Sequence, residues 1–120
     1  MNKEELKTRT KQFALVIIKL VEELPHNRSG NAIANQLIRS GTSVAANYRS
    51  ACRSRSNADF ISKITVVEEE SDETLFWLEL ILESGMIKKE ELEPLIKEAN
   101  ELTAIFTASG KTAKQNNRKS

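Results

Sequence analysis

His26 is the single histidine of this chain and Cys52 its single cysteine, so any nucleophilic or metal chemistry has to be built around these two. A Cys–His nucleophile pair needs an orienting third group and a closed pocket. Cys52 instead falls at a helical position among Tyr48, Ala51 and Arg53, where a small buried or half-buried spacer is the simpler assignment. One histidine excludes a two-His metal site and the Glu-x-x-His pairs of di-iron bundles. An Arg set four to six residues before a catalytic His, a spacing used by some helical ribonucleases, is missing: Leu20, Val21 and Glu22 stand there. Glu68, Glu69, Glu70, Asp72 and Glu73 form a carboxylate-dense run. With no loop to fold them around a cation, they make a solvated or ion-paired helix face. Gly30, Gly85 and Gly110 fall at loop or helix-end positions and Gly41 is alone in mid-helix, which offers no phosphate cradle. The expectation is no catalytic residue, no metal and no cofactor.

The basic side chains offer more. Arg49, Arg53 and Arg55, with Lys63 beyond them, surround one expected interhelical corner, and the guanidinium fork suits phosphate and carboxylate alike. Contact with the phosphates of RNA or DNA and ion pairing with the Glu run are both open at this point. Tyr48 is the only aromatic expected nearby, so no base-stacking platform is foreseen. Phe76 and Trp77 are adjacent and point about 100° apart on a helix. With Leu75 and Leu78 beside them, that segment is apolar around most of its girth, and large aromatics anchor interfaces. They are expected to form an oligomer interface, joined by Gly41 and Ala45 from a row of small residues that would let another backbone come close.

The elements that must position these groups follow from periodicity. Leu6, Phe13, Val16, Ile17, Leu20, Val21 and Leu24 make one helical stripe, ended by Pro25. The stretch HNRSGN then reads as a polar loop. Ile33, Leu37, Gly41, Val44, Tyr48 and Ala51 mark a second helix running to about Arg53. Beside that stripe runs a polar one of Gln36, Ser40, Ser43, Asn47 and Ser50. Either it faces solvent, or it is covered and seeks hydrogen-bond partners on the Glu-rich helix. Ser56 and Asp59 resemble a capping box opening a third helix, with Phe60, Ile64, Val67, Ser71, Leu75, Leu78 and Leu82 as its stripe and Gly85 as its C-cap. A fourth runs from about Lys88 to Ser109 through Leu92, Leu95, Ile96, Ala99, Leu102, Ile105 and Phe106, with a late start or a kink at Pro94.

Four such segments joined by short links predict an all-α, antiparallel up-down-up-down four-helix bundle over residues 1–110, followed by a disordered basic tail over 111–120. A chain of 120 residues with 39% hydrophobic side chains buries enough core to fold without disulfide or metal. No apolar run reaches membrane-spanning length and the N-terminus lacks the order of a signal peptide, which points to the cytoplasm with no membrane partner. Net charge is only +1, but residues 1–65 hold 11 basic and 5 acidic side chains, residues 66–101 hold 3 and 12, and residues 102–120 hold 4 and none.

The string QLIRSGTSVAANYRSACRSRSNADFISKI, followed by VVEEESDETLFWLELI, resembles the 23S ribosomal RNA intervening-sequence proteins, and TRTKQFALVIIKLVEELP looks like that family's first helix. The resemblance covers about residues 7–85. Two departures stand out: Ser50 occupies the place of the Glu in NYREA, and Ala45 a place where Gly is frequent. The resemblance implies a homopentamer of four-helix bundles around a pore, without catalytic residues. A related accessory protein of diversity-generating retroelements implies nucleic acid and a reverse transcriptase, or another protein, as possible partners. Two functions are therefore expected to compete: a homo-oligomeric nucleic-acid-binding or ribonucleoprotein accessory factor, and a protein-interaction scaffold with no nucleic-acid role.

Overall fold

Three of the four helices begin on a side-chain cap. Asn2, Asn27 and Ser56 sit in extended backbone, and their side-chain oxygens accept from the amides of Glu5, Gly30 and Asp59, filling donors that a helix start leaves open. In the computed structural model, which describes the backbone of residues 1–119 and the side chains of residues 1–117, these caps open α1 (Lys3–Val21), α2 (Arg28–Ala51) and α3 (Asn57–Ser84). The last helix, α4, spans Lys89–Lys119. Gly85 closes α3 at φ 75°, a left-handed conformation that costs glycine nothing.

Partners across α3 and α4 run in opposite order along the chain. Asn57 meets Ala113, Ile64 meets Gly110, and Ser71 meets Thr103 between α3 and α4, while Arg9 of α1 reaches Glu98 and Glu101 of α4. The result is a four-helix bundle 52 Å long and about 20 Å across. Consecutive helices pack closely, whereas α1 and α4 touch only sparsely. Phe106, Ile17, Leu37, Ile64, Leu78 and Ile81 are fully buried along its axis. Buried polar groups are satisfied inside it: Thr10 donates to the Lys7 carbonyl, Thr74 to the Glu70 carbonyl, and Ser71 and Thr103 share a 2.7 Å bond between α3 and α4.

Several expectations need correction. Residues 28–31 are not loop, because Asn27 caps α2 three residues before Gly30. Two residues of the polar stripe of α2 turn to their own backbone and not to the Glu-rich helix, Ser40 donating to the Leu37 carbonyl and Asn47 to the Ser43 carbonyl, while Gln36 is exposed. Val16 is 47% exposed, since it lies on the flank of α1 that α4 scarcely covers. Pro94 does not delay α4, which starts at Lys89. Residues 111–119 continue α4 and are not a disordered tail, because Ala113 is buried and its carbonyl accepts from Asn57. Residue 120 lies outside the described residues.

Two glycines set the approach of α1 to α2. A Cβ on Gly41 would stand 2.9 Å from Ile17 Cγ2, and one on Gly30 would stand 1.9 Å from the Pro25 carbonyl oxygen. The second obstacle is backbone, so it cannot rotate away. Gly110 meets only Ile64, at 3.4 Å. Gly41→Leu is expected to cost about 1–3 kcal/mol by overpacking, and Gly30→Ala to destabilise although alanine is the better helix former. Gly110→Ala is expected to gain up to about 1 kcal/mol from propensity alone. Urea midpoints with unchanged slopes check all three. Stabilisation by Gly41→Leu would mean that this residue faces solvent.

Candidate nucleic-acid interface

The bundle gathers the start of α1, the end of α2, the start of α3 and the last turns of α4 at one end, where Lys3, Ala51, Asn57, Ala113 and Asn116 line a common groove. This topology brings the basic blocks at 49–63 and 111–114 together, although more than forty residues of acidic sequence separate them. The other end collects carboxylates. Glu23, just past α1, and Glu91, in the first turn of α4, lie close enough that Glu91's negative charge, chiefly, pushes the Glu23 carboxyl above its ordinary value.

The arginines divide into two classes. Arg9 makes a two-pronged contact with Glu98, its Nε donating at 2.6 Å, and reaches Glu101 at 2.6 Å. The Glu98 hydrogen bond, above all, raises the guanidinium pKa further. Arg39 binds Glu70 at 3.2 Å and also Glu73. The acidic run of α3 is thus partly neutralised by an arginine of α2 in the same chain. Arg49, Arg53 and Arg55 are exposed; among the described residues Arg49 and Arg53 have no ion-pair or hydrogen-bond partner for their side chains, and the Arg55 charge acts on Asp59 without forming an ion pair. Arg28, at the opposite end of α2, is exposed and without an ion pair in the same way. Arg49 lies in the last turn of α2, and Arg53 and Arg55 in the link to α3.

Lys63 stands apart from those three. Its Nζ is 3.2 Å from Asp59 Oδ2 one turn earlier on α3. The Lys63 hydrogen bond is the main reason the Asp59 carboxyl lies below its ordinary value, with the Arg55 backbone amide and the charges of Lys63 and Arg55 adding to it. Lys111 and Lys114 were assigned to a tail, yet they line a cleft with Ile64, Thr65 and Glu68 on the same end of the molecule. Their contribution was hidden in the sequence, because nothing but Ala113 marks the segment as helical and docked.

The four residues expected at an oligomer interface do not share one surface. Gly41 is buried against Ile17 of its own chain, which removes it from the exterior. Ala45 is half-buried. Trp77 is half-buried, packs beside the core and donates from Nε1 to Glu73 at 3.2 Å. Phe76 alone turns outward, 51% exposed, with its ring edge-on to Trp77 at 5.1 Å. Leu15, Val16 and Ile18 of α1 are also exposed. The run FALVII, apolar at every position, is the signal that marks them.

Cys52 and His26 lie at opposite ends of α2. Cys52 is half-buried beside Tyr48, whose hydroxyl is pushed well above its ordinary value by burial first and by the Cys52 thiol second. Among the described residues no three His, Cys, Asp or Glu side chains come together as a metal-binding group, and no helix is long and apolar enough to cross a membrane.

A family model described as 23S rRNA-intervening sequence protein matches residues 3–108. Among solved structures, a protein of unknown function from the S23 ribosomal protein family of Bacteroides thetaiotaomicron superposes with a TM-score of 0.84. It is 32% identical, and the match covers 92% of this chain and 99% of that one. No curated protein matches the sequence.

The two classes of arginine should respond differently to substitution. Arg9→Met is expected to lower stability by about 1 kcal/mol, the upper range for a partly exposed pair, and Arg49→Met to stay within about 0.5 kcal/mol. Equal losses in urea unfolding would mean that Arg49 has a partner. A raised carboxyl pKa means that the folded chain holds that proton more firmly than the unfolded chain, so this contribution is present at low pH and lost as pH rises through the raised value. Glu23→Gln is therefore expected to raise the melting temperature at pH 7 and to have no such effect at pH 4. Equal shifts at both pH values would show that Glu91 does not act on Glu23.

Proposed function

We propose that this chain, which belongs to the 23S rRNA-intervening sequence protein family, is a non-catalytic, homo-oligomeric accessory protein that binds nucleic acid through the phosphates. The observation that carries this reading is the sorting of its cations. Arg9 and Arg39 are matched to carboxylates, while Arg49 and Arg53 stand exposed without an ion-pair or hydrogen-bond partner among the described residues and Arg55 acts on Asp59 only through its charge, all three at the end that also holds Lys111 and Lys114. An arginine already held by carboxylates must give up those bonds to bind phosphate, and a free one need not. Lys63, held by Asp59, is the weakest of the four residues expected to make contact.

Self-association is part of the same proposal, with a pentamer the number that the family resemblance implies. Phe76 supports it from α3, and Leu15, Val16 and Ile18 from α1, because apolar side chains that crowd an outer surface favour a covering partner. A second reading is favoured by the uneven charge of the sequence, basic over residues 1–65 and 102–120 and acidic over 66–101: a protein-interaction scaffold in which the basic end of one molecule meets an acidic surface of another.

Salt dependence separates the two. Each neutralised phosphate releases condensed counterion, so affinity for nucleic acid should fall steeply with salt. An Arg49, Arg53, Arg55 to Ala triple variant is expected to flatten the slope of log affinity against log salt by about three per subunit engaged on duplex and by somewhat less on single strands, with little dependence on sequence. Light scattering on the same variant should return the wild-type mass, well above the 13.5 kDa of one chain. Loss of assembly with retained binding would overturn the assignment of these arginines and favour the scaffold.

A further inference from the structure

The basic end is not a flat patch. At the same end of the bundle lies an open groove of about 690 Å³, with Phe60, Ile105 and Ala113 contributing apolar wall and Ser109, Thr112 and Asn116 contributing polar groups. Phe60 is half-buried, and Lys3 Nζ stands over its ring, 5.4 Å from the centroid. The groove therefore presents an aromatic ring approached by a mobile cation on a long stem, next to donors and acceptors. The Ser109 and Thr112 side chains make no hydrogen bond among the described residues. The expectation that this corner has no stacking platform considered Tyr48. Tyr48 is indeed unavailable, buried against Phe106 with ring centroids 5.7 Å apart, and Phe60 stands in the accessible place instead.

Resting on the phosphate-binding reading above, we infer that this groove takes an unpaired nucleobase, so the ligand class is a single-stranded or looped polynucleotide in preference to a duplex. The occupant follows from chemistry found together at one place. A base is a flat apolar face with a hydrogen-bonding edge, and it is tied to a phosphate. The groove offers an aromatic ring, both donors and acceptors, and the Lys3 cation, with Arg53 and Arg55 on either side of the lining residue Ser54 in the chain. Lys3 can exchange its contact with the Phe60 ring for one with the adjoining phosphate while the base stacks in its place, so no charge is stranded. A paired base cannot enter, because its edge is occupied and its faces are covered by neighbours in the stack. Stacking is tolerant of sequence because every base has a π-face, in keeping with a site that has few fixed polar contacts.

The test is fluorescence anisotropy of the full chain with three labelled probes of equal length at one salt concentration. These are a single strand, the same strand paired with its complement, and the same strand with abasic sites. The single strand is expected to bind at least about tenfold tighter than the other two, and Phe60→Leu to weaken it by about 5- to 150-fold, the span for one stacked base. Ala108→Leu, which fills the groove from an exposed position, should weaken it likewise, and gives the result even where Phe60→Leu fails to fold. Duplex affinity and the salt slope should stay unchanged in both variants. Running the single strand as RNA and as DNA distinguishes the two sources of the base. Equal binding of strand, duplex and abasic strand would overturn the groove and leave the phosphate reading standing, and binding of none of the probes would overturn both.

Discussion

The close passage of α2 against α1 is the constraint on which the rest of the bundle depends. α1 scarcely touches α4, so most of its burial comes from α2, and the distance between those two helices decides whether Ile17, Leu37 and Val44 are fully enclosed. Glycine at position 41 is what lets Ile17 seat. The link between the helices is under the same restriction, since Gly30 passes the Pro25 carbonyl at a distance no side chain tolerates. The small-residue character of α2 is thus accounted for within one chain. A row of small residues marks close approach of two helices and does not by itself say whether the second belongs to the same molecule.

What α1 lacks in contact with α4 is partly replaced by charge. Arg9 spans that seam to Glu98 and Glu101 with a geometry that a lysine could not reproduce. Around it, Phe13, Val16, Pro94 and Leu95 line a shallow cleft of about 370 Å³. The seam is where the bundle is least covered, and it is also where α1 carries exposed apolar side chains. α1 and α4 meet in the shared core through Phe13 and Leu95, and an ion-pair bridge of modest strength spans the wider outer part of their seam. Local opening should begin there, since regions with few buried contacts open at the least cost.

Much of this was legible in the sequence, and the reasons for the misses are physical. The stripes of α3 and α4 name most of the core because a 3.6-residue period is strong over long helices, and Ser56 and Gly85 fix both ends of α3 by local chemistry alone. The start of α2 was missed because Asn27 is a single capping residue among polar neighbours. The continuation of α4 was missed because Ala113 is its one buried anchor. At the candidate site, Arg49, Arg53 and Arg55 were identifiable as a cluster, but their lack of ion-pair partners was not. That depends on Arg39 already serving Glu70 and Glu73, a pairing across 31 residues or more. Phe60 read as core because its period fits the α3 stripe, and only the meeting of four helix ends shows that one side of its ring is accessible.

The gathering of Arg49, Arg53 and Arg55 at one end has a consequence for how copies would have to assemble in order to use them. A single exposed arginine contributes little to affinity at physiological salt, and three on one chain remain a weak site. Side-by-side packing of bundles around one axis, with all chains pointing the same way, brings every basic end to the same rim, where one polynucleotide can engage several copies at high effective concentration. Packing with alternate chains inverted would divide the cations between two ends and set each beside the carboxylates of a neighbour. Cyclic symmetry gives the first arrangement and dihedral symmetry adds the inversion. Phe76 and the exposed residues of α1 lie on the flanks of the bundle rather than at its tips, which is where lateral contacts form. On the proposed function, a lateral, parallel assembly is therefore the arrangement in which the apolar flanks would cover one another and Arg49, Arg53 and Arg55 of every copy would face a common ligand.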